Sequence, residues 1–422
     1  MKPIAKSWWM AGMMSLLAAC LSEKPSVVAS NCNEADGCGK HQEALHLDAV
    51  DILLVIDNSR SIAPQAEQLK AELPRLLTAI VSGQDEEMTF PPANSVHVAV
   101  TTSDIGIGTP NSDLDPCTDT GNDGVFVKPG EVGVTCDVSY PGYLAYEAGA
   151  APIETANSVA CVPLVFSDLE GDNVGCGFEQ PLEAALKALW PASDSSIEFV
   201  SGTAHGADEN QGFLRDNSLL VVVIVTDEDD CSTSDSSIFQ SPDGNNQDLN
   251  VRCINRDSTL FDVQRYIEHF RGLRPNNDNV IFATIAGVPA DLIAEEHRGN
   301  YDFDVPEQRD AYYDDVLDDP RMQNNLFDRI GVMDMDGGTS YEYTNLTPSC
   351  VVPVPGIQRE NFEGVHRLYP PRRLVQLTKA FGTDGVLGSL CADDFGATTG
   401  RLIHAIGERL SDATQPKAAS KP

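Results

Sequence analysis

Seven consecutive apolar residues, Leu219–Val225, sit inside the segment SLLVVVIVTD (218–227). No other stretch restricts the possible folds as strongly. The run is of strand length and lacks polar/apolar alternation, so both faces of the strand must be covered, as at the centre of a parallel sheet. Similar runs recur. Val50–Ile56 leads into Asp57, VHVAVTTSD spans 96–104, NVIFATIAG spans 279–287, and GVLGSL lies near the end. A short edge strand is expected in ACVPLVF (160–166). Helical spacing separates the strands. It runs through Ile62, Ala66, Leu69, Leu73, Leu76 and Ile80, then Leu182, Ala185, Leu186 and Leu189, then Leu260, Val263, Ile267, Phe270 and Leu273. PRRLVQLTKAFG and the series Phe395, Thr399, Leu402, Ile406, Leu410 add two more helices. Pro64 suits a first helical turn, whereas Pro74 should kink or break its helix. Strands alternating with helices predict an α/β fold, doubly wound around a mostly parallel central sheet. Large irregular insertions are expected at about 105–175 and 288–370, within a domain spanning 47–411.

The ends differ in character. Residues 1–19 form a signal-peptide pattern: Lys2 and Lys6, then a Trp8–Ala19 apolar run too short to span a bilayer comfortably. The run closes on Leu17-Ala18-Ala19-Cys20, which resembles a bacterial lipobox. That resemblance implies lipidation at Cys20 and, with Leu21 rather than Asp next, an outer-membrane lipoprotein. Such a protein would be held to the membrane by its N-terminal lipid anchor only. Residues 20–46 read as the lipidated Cys and a polar tether, and residues 412–422 as a disordered tail. With Cys20 set aside, ten cysteines remain. An even number in an exported chain suggests five disulfides. Nearest-neighbour pairing predicts Cys32–Cys38, Cys117–Cys136, Cys161–Cys176, Cys231–Cys253 and Cys350–Cys391. The formal charge of −36, from 64 acids against 28 bases, disfavours nucleic acid as a partner and favours cations.

The chemistry-bearing feature is DILLVIDNSRS, Asp51–Ser61. A buried strand ending in the Asp57 carboxylate needs a metal or a counter-charge such as Arg60. Ser59 and Ser61, at alternate positions in the next turn, offer hydroxyl oxygens. Carboxylate, hydroxyls and water suit Mg2+, with Mn2+ or Ca2+ as alternatives. The D-x-S-x-S spacing alone is weak, since Asp230–Ser234 also matches; what sets the first copy apart is the strand before it and the helix after it.

These segments resemble von Willebrand factor type A domains. DILLVIDNSRS is similar to their first strand and metal-ion-dependent adhesion site, VHVAVTTSD to the second strand, and LLVVVIVTDEDD to the fourth. NVIFATIAG and GVLGSLCADDFGATTGRLIHAIGERL are similar to the last two strands and final helix. The lipobox, TTSDIG, CGFEQPLEAAL, IAGVP and YPPRR more narrowly resemble predicted myxobacterial-type lipoproteins of this class. The resemblance implies direct metal contacts from Ser59 and Ser61, and water-mediated ones from Asp57 and Asp227. The family's threonine has no counterpart in NVGCGFEQPLEAAL; Glu179 is the nearest oxygen donor and Thr102 a second. It further implies a non-enzymatic cell-envelope protein whose bound cation grips a carboxylate on a protein ligand.

Two other readings stay open. Clustered carboxylates could serve a metal-assisted hydrolase, although no H-E-x-x-H, G-x-S-x-G or P-loop pattern occurs. Alternatively the chain is a metal-free scaffold stapled by disulfides. The acidic run Asp227–Asp230 reads as a solvated turn or a secondary Ca2+ site. NSDLDPCTDTGNDG (111–124) reads as a loop.

Overall fold

The segment 218–227 does lie at the centre of a sheet. A computed structural model of the chain describes residues 47–59, 62–107, 117, 121–128, 142–150, 175–239, 249–333, 339–353 and 365–414. Its main sheet contains β1 (Ala49–Ile56), β2 (Ser95–Thr102), β3 (Tyr143–Glu147), β4 (Leu219–Val225), β5 (Val280–Ala286) and β10 (Gly385–Ser389). The strand order is β10-β5-β4-β1-β2-β3, all parallel except β3, which runs antiparallel to β2. The fold is therefore α/β around a mostly parallel sheet.

Each central strand serves two cores, because successive side chains point to opposite faces. Ile52, Leu54 and Ile56 of β1, with Val221, Val223 and Val225 of β4, pack on one face against α1 (Ala63–Ser82) and α9 (Gly396–Thr414). Leu69, Leu73, Leu76 and Ile80 of α1 and Leu402, Ile406 and Leu410 of α9 complete that layer. Leu53 and Val55, with Leu220, Val222 and Ile224, face α2 (Pro181–Leu189), α4 (Val263–Gly272) and α8 (Arg372–Ala380). The helical α1 run is continuous through Pro74, contrary to the expected break. Tight packing of the α1 apolar stripe outweighs the loss of one backbone hydrogen bond.

Other sequence expectations need correction. β3 lies inside the first expected insertion, with Leu144 and Tyr146 buried and Ala145 and Glu147 exposed. The segment 160–166 falls outside the described residues. Residues 288–370 are not irregular where described. They carry α5 (Ala290–Ile293), α6 (Glu295–Arg298), α7 (Pro306–Asp318) and the antiparallel pairs β6 (Leu326–Met333)/β7 (Thr339–Leu346) and β8 (Cys350–Pro353)/β9 (Val365–Leu368). α3 (Leu249–Asn255) precedes α4. β10 is an edge strand, yet its backbone is occupied on the open side. Gly385 O accepts from the Tyr313 hydroxyl at 3.0 Å and Leu387 O accepts from Arg401 at 3.1 Å.

Disulfides Cys231–Cys253 and Cys350–Cys391 form as expected. Cys117, however, bonds Cys176 across 59 residues. This overturns both Cys117–Cys136 and Cys161–Cys176, because proximity in sequence is not proximity in space: the Asp104 carboxylate holds Cys176 N–H at 3.3 Å. Cys20, Cys32, Cys38, Cys136 and Cys161 lie outside the described residues, as do the expected signal peptide and tether. No helix among the described residues is long and apolar enough to cross a membrane.

Candidate functional site

From β1 the chain moves outward through β2 on one side and through β4 on the other, so β1 and β4 flank the switch in strand order. Ligands of open α/β sheets bind in the crevice beyond the carboxyl ends of such strands. Asp57 follows β1 and Asp227 follows β4; Ile56 is in register with Val225, and Asp57 N–H donates to Val225 O at 2.9 Å. Both carboxyls are fully buried, and each feels the charge of the other. Asp57 also accepts from Ser59 N–H at 2.7 Å, from the Ser59 hydroxyl, and from Thr226 Oγ1 at 3.1 Å. Burial first, then the charge of Asp227, raise the Asp57 carboxyl well above its usual range, with Ser59 opposing.

Glu179 joins them from the loop before α2. Its backbone is fixed by Cys231 N–H at 2.8 Å, and its Oε2 accepts from the Ser103 hydroxyl. Its Oε1 is buried with no hydrogen-bond partner among the described residues. Burial, then the charges of Asp57, Glu228 and Asp227, hold this carboxyl well above the ordinary value, and Ser103 pulls it partway back. Neither Asp57 nor Glu179 has a Lys or Arg ion-pair partner among the described residues. Buried carboxylates in this arrangement need protons or a cation to neutralise them.

Asp57, Ser59, Asp227 and Glu179 therefore come together as the sequence suggested. Ser61 and Arg60 lie outside the described residues. Thr102 is committed elsewhere: its hydroxyl donates to Asn122 Oδ1 at 3.0 Å and accepts from Asp104 N–H at 3.3 Å. Ser103, one residue on, is the hydroxyl that reaches Glu179. Sequence reading also missed Thr226 and His366, and placed Glu228 only in the acidic run. The His366 side chain, carried by β9, donates from Nε2 to Asp227 Oδ2 at 2.6 Å and is nearly fully buried. Only the long separation of 139 residues hid it. Tyr369 N–H donates to Asp227 O at 2.8 Å, so β9 and the residue after it both grip the same turn.

The acidic run beyond Asp227 is not a solvated turn. Asp229 accepts from Arg373 N–H at 3.0 Å, at the start of α8. Asp230 accepts from Leu182 N–H at 3.1 Å, and Ser232 Oγ from Glu183 N–H at 3.0 Å, so this turn caps α2. Arg373 closes on Asp230 at 3.2 Å. These carboxylates are spent on helix N-termini, which is why the second D-x-S-x-S copy exists without forming a second site. In the 111–124 loop, Asp123 is bound by buried Lys187 and by His205.

The donors at the switch point are hard oxygens, and the lone Glu179 Oε1 is an acceptor in want of a positive partner. This fits an oxygen-seeking cation. No group of three His, Cys, Asp or Glu side chains among the described residues is placed to chelate a metal directly. A cation here would take hydroxyl and water oxygens for much of its shell, as Mg2+ does. Fold and site together define an α/β domain with a buried carboxylate–hydroxyl cluster at its topological switch point. No family model matches the chain, and no curated protein matches it.

Proposed function

We propose that this chain is a lipid-anchored cell-envelope binding protein, with a von Willebrand factor type A-like domain and large insertions, that holds a divalent cation at the β1–β4 switch point and grips a protein carboxylate through it. The convergence of Asp57, Ser59, Asp227 and Glu179 beyond two adjacent strand ends supports the reading. Ser59 and Ser61 would hold the cation directly, Asp57 and Asp227 through water, and Glu179 in place of the family's threonine. A bound divalent ion supplies the positive charge that lets a partner's carboxylate approach a strongly acidic surface. The residues themselves orient: Thr226 and Ser59 fix one Asp57 face, Ser103 fixes Glu179, and His366 fixes Asp227. The role is binding, with no chemical step assigned.

Calorimetry with Mg2+ and Mn2+ tests this reading. Wild-type protein is expected to bind with saturable heat, and Asp57→Ala to lose at least tenfold in affinity. Equal heats in the two proteins would overturn it. They would favour the metal-free scaffold, which draws on the hydrogen bonds already joining Asp57 to Thr226 and Ser59.

A further inference from the structure

A second concave site lies on the flank of the sheet, outside edge strand β10 and between α9, α6 and α7. Its volume is about 680 Å3, within the size range of small-molecule sites. Its deepest acid, Asp384, is already paired with Arg409. Glu86, Glu87 and Glu408 are exposed at the rim, while Arg298 and Arg401 are half-buried in the wall.

The two guanidiniums are poorly matched by acids. Arg298 stacks on the Phe303 ring at 3.6 Å and has no ion pair among the described residues. Arg401 donates to Leu387 O at 3.1 Å and to Thr398 Oγ1 at 3.3 Å. Its one ion pair among the described residues is with Glu295 at 3.4 Å, a carboxylate whose side chain is 67% exposed. Such a pair is weakened by solvent. Burial, and then the charge of Arg298, push the Arg401 guanidinium below its usual pKa, so the two cations feel each other. Tyr312 stands beside them. Its ring packs on Phe303 with centroids 5.1 Å apart, and its hydroxyl feels the charges of both arginines. The side chain is 1% exposed, and its hydroxyl makes no hydrogen bond among the described residues. The neighbouring Tyr313, by contrast, donates to Gly385 O. The Tyr312 hydroxyl thus opens into the cavity beside two like charges, where it can donate to an acceptor that carries negative charge.

We propose that this cavity binds the oxyanion group of a small zwitterionic ligand, held by Arg298, Arg401 and the Tyr312 hydroxyl, with the ligand's cationic group against the acidic rim. Guanidiniums recognise carboxylate and phosphate alike. The rim excludes simple anions by repulsion and admits a molecule carrying its own positive charge. The site is independent of the cation cluster at the switch point.

The test is calorimetric titration of the full chain in EDTA, so that divalent cations play no part. The probes are glycylglycine, O-phosphoethanolamine, acetate and inorganic phosphate. At least one zwitterion is expected to bind tenfold or more tighter than the simple anion with the same oxyanion; which zwitterion wins tells carboxylate from phosphate recognition. Arg298→Gln and Tyr312→Phe are each expected to weaken that binding about tenfold. Arg298 makes no buried ion pair and Tyr312→Phe keeps the ring, so both variants should melt within a few degrees of wild type, checked by calorimetric scanning. Absence of binding by all four probes at 10 mM overturns the proposal. So does equal affinity for zwitterion and simple anion, or unchanged affinity in two folded variants.

Discussion

Glu183 shows how single buried groups set the behaviour of this chain. It lies on α2, accepts from the Tyr266 hydroxyl at 2.8 Å and pairs with Arg265 at 3.0 Å. Burial nevertheless outweighs both partners and raises its carboxyl from 4.5 to about 7. The folded state then holds a proton that the unfolded state has released. Its contribution to stability is complete below the unfolded value of 4.5 and is lost as pH rises through about 7. Glu183→Gln should flatten this part of the stability–pH curve, measured by urea denaturation between pH 4.5 and 7.5; an unchanged slope would contradict the assignment. At this scale the sequence was legible for residues that terminate apolar strands. Asp57 and Asp227 are readable because a charge at the end of a buried run demands an explanation. Ser103 and His366 were not readable, because nothing local announces which hydroxyl or imidazole a distant chain segment will deliver.

Elements depend on close approaches between backbones. Gly287, just after β5, has room for hydrogen only: a Cβ there would come 2.5 Å from Tyr369 O. That carbonyl belongs to the segment following β9, whose neighbours His366 and Tyr369 grip Asp227. Gly287→Ala should therefore push β9 off the β4 turn and destabilise the fold by about 1–3 kcal/mol, the usual cost of overpacking. Chemical denaturation reads the loss; a change under about 0.5 kcal/mol would show that the segment yields freely. The β8–β9 and β6–β7 pairs were hidden by composition. Acidic, polar surroundings suggested an irregular insertion, although Ile330 and Val332 in β6 and Tyr341 and Tyr343 in β7 do alternate. The helices packed on the main sheet were legible because each carries an apolar stripe at helical spacing. Pro74 misled because its local penalty is smaller than the packing of the stripe around it. Cysteine pairing was legible only for Cys231–Cys253 and Cys350–Cys391; Cys117 found Cys176 through tertiary contact.

The whole chain carries −36, and its surface therefore repels other acidic surfaces. A lipid at Cys20 would keep such a protein at an envelope that its charge alone would not favour. The expected outcome is that the wild type expressed in a bacterial host fractionates with membranes and incorporates labelled palmitate, while Cys20→Ala appears in the soluble fraction without label. Equal distribution of the two would remove the anchor from the proposal. The central place of Leu219–Val225 in a mostly parallel sheet followed from the sequence, because a strand apolar on both faces has one place to go.

The occupied carbonyls of β10 have a last consequence. An open sheet flank ordinarily invites a second strand to zip on, and molecules concentrated at a surface meet such flanks constantly. Here Tyr313 and Arg401 already fill the rungs at Gly385 and Leu387. Crowded copies therefore find those two rungs already taken, and this flank resists splicing their sheets into a fibre.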